Sequence, residues 1–169
     1  VKQGSWILDR DLIIPDGYSV VSTPGTSLDL KNNSMILSYS KMDFKGTPEN
    51  PIRIFSSDKT GQGLTILGAD GKSYFYNVIF SDLTNPKKRG WQLLGAINFQ
   101  ETEIDLNGIS VSNTNSEDGM GIMNSKFKMS NSIFSDTFSD CLDLDFDEGV
   151  IENSEFINCG NDGFDISGS

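Results

Sequence analysis

Three aspartates near the C-terminus, Asp143, Asp145 and Asp165, are the residues whose type and spacing point most directly to chemistry. Around them Leu142, Leu144 and Phe146 alternate with Asp143, Asp145 and Asp147, the period of a half-buried strand. Asp143 and Asp145 therefore share one face, turned away from the leucines. Asp165 follows Asp143 by 22 residues, a spacing that recurs in the chain and places it beside Asp143 on the next strand. Carboxylates held about 5–7 Å apart repel unless they are protonated, well solvated or bridged by a cation. Three hard oxygen donors of this kind suit Ca²⁺. The alternative is a solvated acidic face that keeps a flat sheet soluble and discourages edge pairing.

The composition removes most other chemistry. The chain has no histidine, which excludes Ser-His or Cys-His nucleophile pairs, the usual general base and the common transition-metal ligand. Two cysteines cannot build a structural zinc site. Gly61-Gln-Gly63 has no following helix and reads as a turn rather than a phosphate cradle. The net charge is −11, and every charged residue from Met129 to Ser169 is acidic, so nucleic acid and anionic membrane are poor partners. No run approaches the roughly 20 apolar residues of a membrane span, so membrane insertion is not expected. No signal pattern opens the chain, but a removed leader would leave the same picture, so its absence does not argue for the cytoplasm.

The elements that must position the aspartates emerge from internal repetition. Ser116-Glu-Asp-Gly-Met-Gly-Ile122, Phe138-Ser-Asp-Cys-Leu-Asp-Leu144 and Gly160-Asn-Asp-Gly-Phe-Asp-Ile166 align without gaps, with Asp118, Asp140 and Asp162 spaced by 22. Met120/Leu142/Phe164 and Ile122/Leu144/Ile166 keep the same step and are apolar throughout. Upstream in each unit an asparagine precedes a phenylalanine by three: Asn77/Phe80, Asn131/Phe134 and Asn153/Phe156, with Asn107/Ser110 a weaker copy. A coil of about 22 residues accommodates three short strands and three turns, and stacked coils lie about 4.8 Å apart.

The expected fold is thus an all-β, right-handed, single-stranded parallel β-helix forming one domain over residues 1–169. Residues 1–70 make irregular coils, with strands expected at Trp6, Leu12, Tyr18, Ser27, Met35 and Ile52 between strong turn signals. Residues 71–169 make regular coils interrupted by an extruded polar insertion at Asn85–Gly90. Asn77, Asn107, Asn131 and Asn153 are expected to form a ladder of left-handed turn residues, with the phenylalanines stacked inside. Asp118, Asp140 and Asp162 have the parity of inward residues but precede each strand, so they are read as turn aspartates bonding backbone N–H groups. Cys141 and Cys159 fall off the 22-residue register, give no disulfide framework, and pair only if the fold brings them together.

Ile14-Pro-Asp-Gly-Tyr, Pro24-Gly-Thr-Ser-Leu, Gly46-Thr-Pro-Glu-Asn-Pro-Ile52 and the later Asn-x-x-Phe units resemble coils of bacterial secreted or surface β-helix proteins of the pectate-lyase-like superfamily. The resemblance covers nearly the whole chain and is more specific for fold than for activity, since that group includes lyases, hydrolases, epimerases, adhesins and spacers. It implies Ca²⁺ on stacked aspartates and an Arg or Lys as base. The nearest bases are Lys126 and Lys128, and a cross-coil ion pair between Lys126 and Glu148 accounts for the first equally well. The glycosidases of this kind set Asp pairs beside a histidine, which is missing here. Trp91, Tyr74 and Tyr76 are candidates for stacking on sugar rings or for plain packing.

The functional expectation is an extracellular scaffold or glycan-binding module, Ca²⁺ its possible companion and polysaccharide its partner. The alternatives are a lyase or epimerase acting on acidic polysaccharide, and a structural spacer. The last coil carries no visible polar cap, which points to a longer solenoid or to association through that end.

Overall fold

The structure, a computed structural model describing residues 1–169, is a parallel β-solenoid of about seven turns without helices. Three faces run its length. The first carries Gly4–Leu8, Thr26–Leu30, Ile52–Phe55, Val78–Ser81, Ser110–Ser112, Ile133–Ser135 and Glu155–Ile157. The second stacks Leu12–Ile14, Ile36–Lys45, Leu64–Asp70, Gly95–Gln100, Asp118–Met123, Asp140–Asp145 and Phe164–Ser167. The third carries Ser19–Ser22, Lys72–Tyr76, Glu103–Asn107, Lys126–Ser130 and Glu148–Glu152, joined to the second by the ten-residue strand Ile36–Lys45, which turns the corner between them.

Each face turns its inward residues to one continuous core, buried as far as Leu144 and open at the last coil, where Phe164 and Ile166 are exposed. The columns read from sequence are in register: Leu64, Ile97, Met120, Leu142 and Phe164 on one line, Ile66, Phe99, Ile122, Leu144 and Ile166 on the next. Phe80, Val111, Phe134 and Phe156 form the first-face column, and the Phe134 and Phe156 rings stack with centroids 5.2 Å apart. Removing such area from water supplies about 25 cal/mol per Å², and in a stack that gain falls mainly to the inner coils, which have a neighbour on both sides.

Three corners close each regular coil from Gly68 onward, and each uses a residue with left-handed backbone; the corner inside Ile36–Lys45 is made without one. Asn77, Gly108, Asn131 and Asn153 form one column at φ 49–66°; Asp82, Asn113, Asp136 and Asn158 form a second at 53–56°. The third is Gly68, Glu101, Asn124, Phe146 and Gly168 at 48–70°. Asn107 lies one residue before the ladder, which Gly108 completes; its Oδ1 instead accepts a bond from Asn131 Nδ2 at 3.1 Å. Asparagine and aspartate tolerate this backbone because their short polar side chains bond locally, whereas most L-residues are disfavoured. Phe146 departs from that chemistry: it is left-handed at φ 58° and 68% exposed, so little burial offsets its strain.

The cysteines are joined, which corrects the expectation from their spacing. Cys141 and Cys159 form a disulfide with Cα atoms 5.5 Å apart across 18 residues. Matching register is not required, because the link crosses a corner. Cys159 occupies in its coil the place Thr137 holds one coil earlier, and the Thr137 hydroxyl already lies 3.3 Å from Cys141 Sγ. The strand alternation breaks at this point, since Cys141 and Leu142 are consecutive and both fully buried.

Two outcomes test this architecture. Phe146→Asn should stabilise the fold by about 1 kcal/mol in urea melts, because it relieves a left-handed aromatic. The pair Cys141→Ser/Cys159→Ser should lose about 2–4 kcal/mol, the contribution of a link closing a loop of this length. A melt of wild-type protein in excess reductant should match that double variant.

Candidate functional site

The acidic ladder stands on the second face. Its column runs Thr65, Asn98, Gly121, Asp143, Asp165 from coil to coil, and the neighbouring outward column runs Gln100, Met123, Asp145, Ser167. Asp143 and Asp145 are half-buried beside the inward Leu142 and Leu144, and Asp165 is exposed. Register thus brings Asp143 and Asp165 side by side, with Asp145 two residues along.

Asp118 and Asp140 join this cluster, against their reading as turn residues of inward parity. The break in alternation at Cys141 rotates everything before it by one position. Asp118 and Asp140, paired in register, then face the same side as Asp143 and Asp145. Asp140 Oδ1 does accept a backbone bond, from Asp162 N at 2.8 Å. Asp118 has no such partner: it is 4% exposed, and no hydrogen bond reaches its carboxylate. Burial, and then the charges of Asp143, Glu117, Asp140 and Asp145, push its pKa from 3.8 up to about 7. Burial, with Asp145, Asp165 and Asp140 adding repulsion, raises Asp143 to about 6.

The insertion supplies a wall rather than a free loop. Lys87–Lys88 and Trp91–Gln92 pair as an antiparallel hairpin folded back on the solenoid. Gln62 bonds both the N–H and the carbonyl of Lys87, at 3.2 and 3.3 Å. Lys88 Nζ reaches Asp11 Oδ1 at 2.9 Å and the Asn33 carbonyl at 2.8 Å. Asn85 Nδ2 donates to the Leu93 carbonyl at 2.6 Å, closing the base of the hairpin. The returning leg, Gln92-Leu-Leu94, therefore rises beside the ladder and encloses a cleft of about 240 Å³.

The cleft floor and walls combine the amides of Gln92, Asn98 and Gln100, the carboxylates of Asp118, Asp143 and Asp145, and the apolar Leu93, Leu94 and Met123. None of its lining residues is Lys or Arg. Lys126 and Lys128 stand on the third face, where they pair with Glu148 at 3.1 Å and Glu152 at 4.0 Å. Tyr74 and Tyr76 are on that face too, edge to face at 5.9 Å with Lys45 over Tyr74. The carboxylates of the ladder stand in rows, and no group of three or more His, Cys, Asp or Glu is gathered as metal ligands would be.

No known protein family, curated protein or solved structure matches this chain. The chemistry of the cleft is accordingly read from its own residues. Carboxyls in such crowding serve as hydrogen-bond donors when protonated and as strong acceptors when ionised, and amides offer both.

Asp118 gives the site a pH signature. Its folded pKa lies above its unfolded value, so the native state holds a proton that the unfolded chain releases between about pH 4 and pH 7. Stability is therefore lost as pH rises through that window. Relative to wild type, Asp118→Asn should be unchanged near pH 4 and more stable by about 1–3 kcal/mol near pH 8, discounted for the open cleft. Thermal melts at the two pH values measure the difference.

Proposed function

We propose that this protein is an extracellular β-helix module that binds glycan in the cleft between the hairpin and the carboxylate ladder, of the pectate-lyase-like kind seen in bacterial secreted and surface proteins. The observation that carries the reading is the cleft lining itself. Planar amides and carboxyls from Gln92, Asn98, Gln100, Asp118 and Asp143 line it together with the apolar Leu93 and Leu94. A sugar presents the matching pattern, hydroxyls around its rim and C–H groups on its faces, and a concave site with a few placed polar groups is the usual form of a small-ligand pocket.

The disulfide supports the compartment, since such links persist in oxidising surroundings. Binding rather than turnover is favoured by the absence of His from the chain and of Lys and Arg from the cleft, which leaves a lyase or epimerase without its base. Calcium remains a companion for acidic chains alone, as a bridge between two sets of carboxylates, because the ladder offers it no gathered ligand set.

The test is titration with neutral, amino and acidic oligosaccharides, the acidic ones with and without millimolar Ca²⁺, followed through side-chain amide NMR signals. At least one class should shift the signals of Gln92, Asn98 and Gln100 together. The double variant Gln92→Ala/Gln100→Ala should weaken that binding about tenfold, since two neutral hydrogen bonds contribute about 1–3 kcal/mol. Absence of binding by every class, or shifts gathered near the third-face tyrosines, would overturn the reading.

A further inference from the structure

The cleft carries one feature that generic sugar recognition does not require. Asp118 is 4% exposed, its carboxylate opens on the cleft without a hydrogen bond from the protein, and the charged groups acting on it are all acids: Glu117, Asp140, Asp143 and Asp145. A carboxyl so placed holds a proton when alone, and stays ionised at neutral pH only where something positive or donating meets it. Beside it the outward column has a gap. Thr65, Asn98, Asp143 and Asp165 all project side chains, and Gly121 between them projects none.

The gap is a notch lined with oxygen. A Cβ placed on Gly121 would lie 3.5 Å from Asn98 Oδ1 and 3.9 Å from Asp118 Oδ2. Asn98 is itself held in place: Oδ1 accepts from Gly95 N at 3.2 Å, and Nδ2 donates to the Gly95 carbonyl at 2.6 Å. A carbonyl oxygen has a second lone pair, so Asn98 Oδ1 can accept once more. Gly121 has no left-handed backbone, so glycine at this place serves space rather than turn geometry.

From this we infer that the notch over Gly121 receives a primary ammonium group, and that the glycan bound in the cleft is an amino sugar with a free amine. The inference rests on the glycan reading above and narrows it. An ammonium is compact, carries three donors, and needs acceptors on two or three sides rather than the full oxygen shell of a metal ion. Asp118 Oδ2 and Asn98 Oδ1 flank it, and the Asp143 carboxylate is next along the column. An N-acetyl group in the same place would set a carbonyl oxygen against carboxylates and need more room. A planar guanidinium is likewise too broad for a gap one side chain wide.

Calorimetry with the full chain tests this using four probes: a glucosamine tetramer, its N-acetylated form, a glucose tetramer of the same linkage, and tetralysine. The glucosamine tetramer should bind at least about tenfold more tightly than the other three, and more weakly as salt is raised. Asp118→Asn and Gly121→Ala should each remove about tenfold or more of that affinity. Both should fold, the first because it deletes a buried charge, the second because its methyl meets ordinary contact distances. Equal binding of the glucosamine and acetylated or glucose tetramers would overturn the ammonium site and leave the glycan reading standing. Tetralysine binding as tightly, with the same loss in Asp118→Asn, would reassign the notch to a cationic peptide. If none of the four binds while another oligosaccharide class perturbs Gln92, Asn98 and Gln100, the amino-sugar inference fails alone. If no oligosaccharide class binds at all, both readings fail.

Discussion

The regular coils depend on bending the chain three times per coil without losing the hydrogen bond to the next coil. A residue in the left-handed region does this, because it reverses direction within one peptide while its N–H still points along the stack. Asn77, Asp82 and Glu101 each donate from that position to the carbonyl before the equivalent corner of the following coil, at 2.8, 3.2 and 3.0 Å. The same bonds recur at Asn113, Asn124, Asn131 and Asp136. Backbone pairing is therefore continuous through the corners, and a buried solenoid cannot tolerate it otherwise. The corner columns hold mostly asparagine, aspartate and glycine because those residues enter the region at low cost.

This constraint explains what could be read from sequence. Core columns and the asparagine corner were legible because stacking forces identical chemistry at a fixed interval, and 22 residues is that interval from Asp118 onward. The second corner, five residues after the first, is masked in the sequence because Asp82, Asn113, Asp136 and Asn158 are two residue types standing for one backbone state. The third is harder still, since Glu101 and Phe146 occupy it without the matching chemistry. Asn107 has the residue type of the ladder, but its neighbour Gly108 does the turning, because residue identity fixes a corner only to within one position.

The site was legible in part for the same reason. Asp143, Asp145 and Asp165 follow from parity and period alone. Asp118 does not, because parity carries across a strand only if alternation is unbroken, and consecutive inward residues at Cys141 and Leu142 break it. The hairpin wall was visible as an insertion but not as a wall. Its placement depends on Gln62, Asp11 and Asn33, residues 25 to 77 positions away that no local pattern links to it. A solenoid thus announces its scaffold through repetition and hides its site in the departures from it.

The disulfide belongs to the same balance of forces. It joins the coil of Asp140 and Asp143 to the coil of Asp162 and Asp165, the two coils whose carboxylates stack most directly. Like charges about 5 Å apart in register weaken such a pair of strands, by amounts comparable to what a cross-strand attraction contributes. The link does not remove that repulsion. It limits how far the unfolded chain can profit from it, since the coils stay tethered when the strands part. Here a ladder of acids can be kept on one face because the corner beside it is closed by a covalent bond.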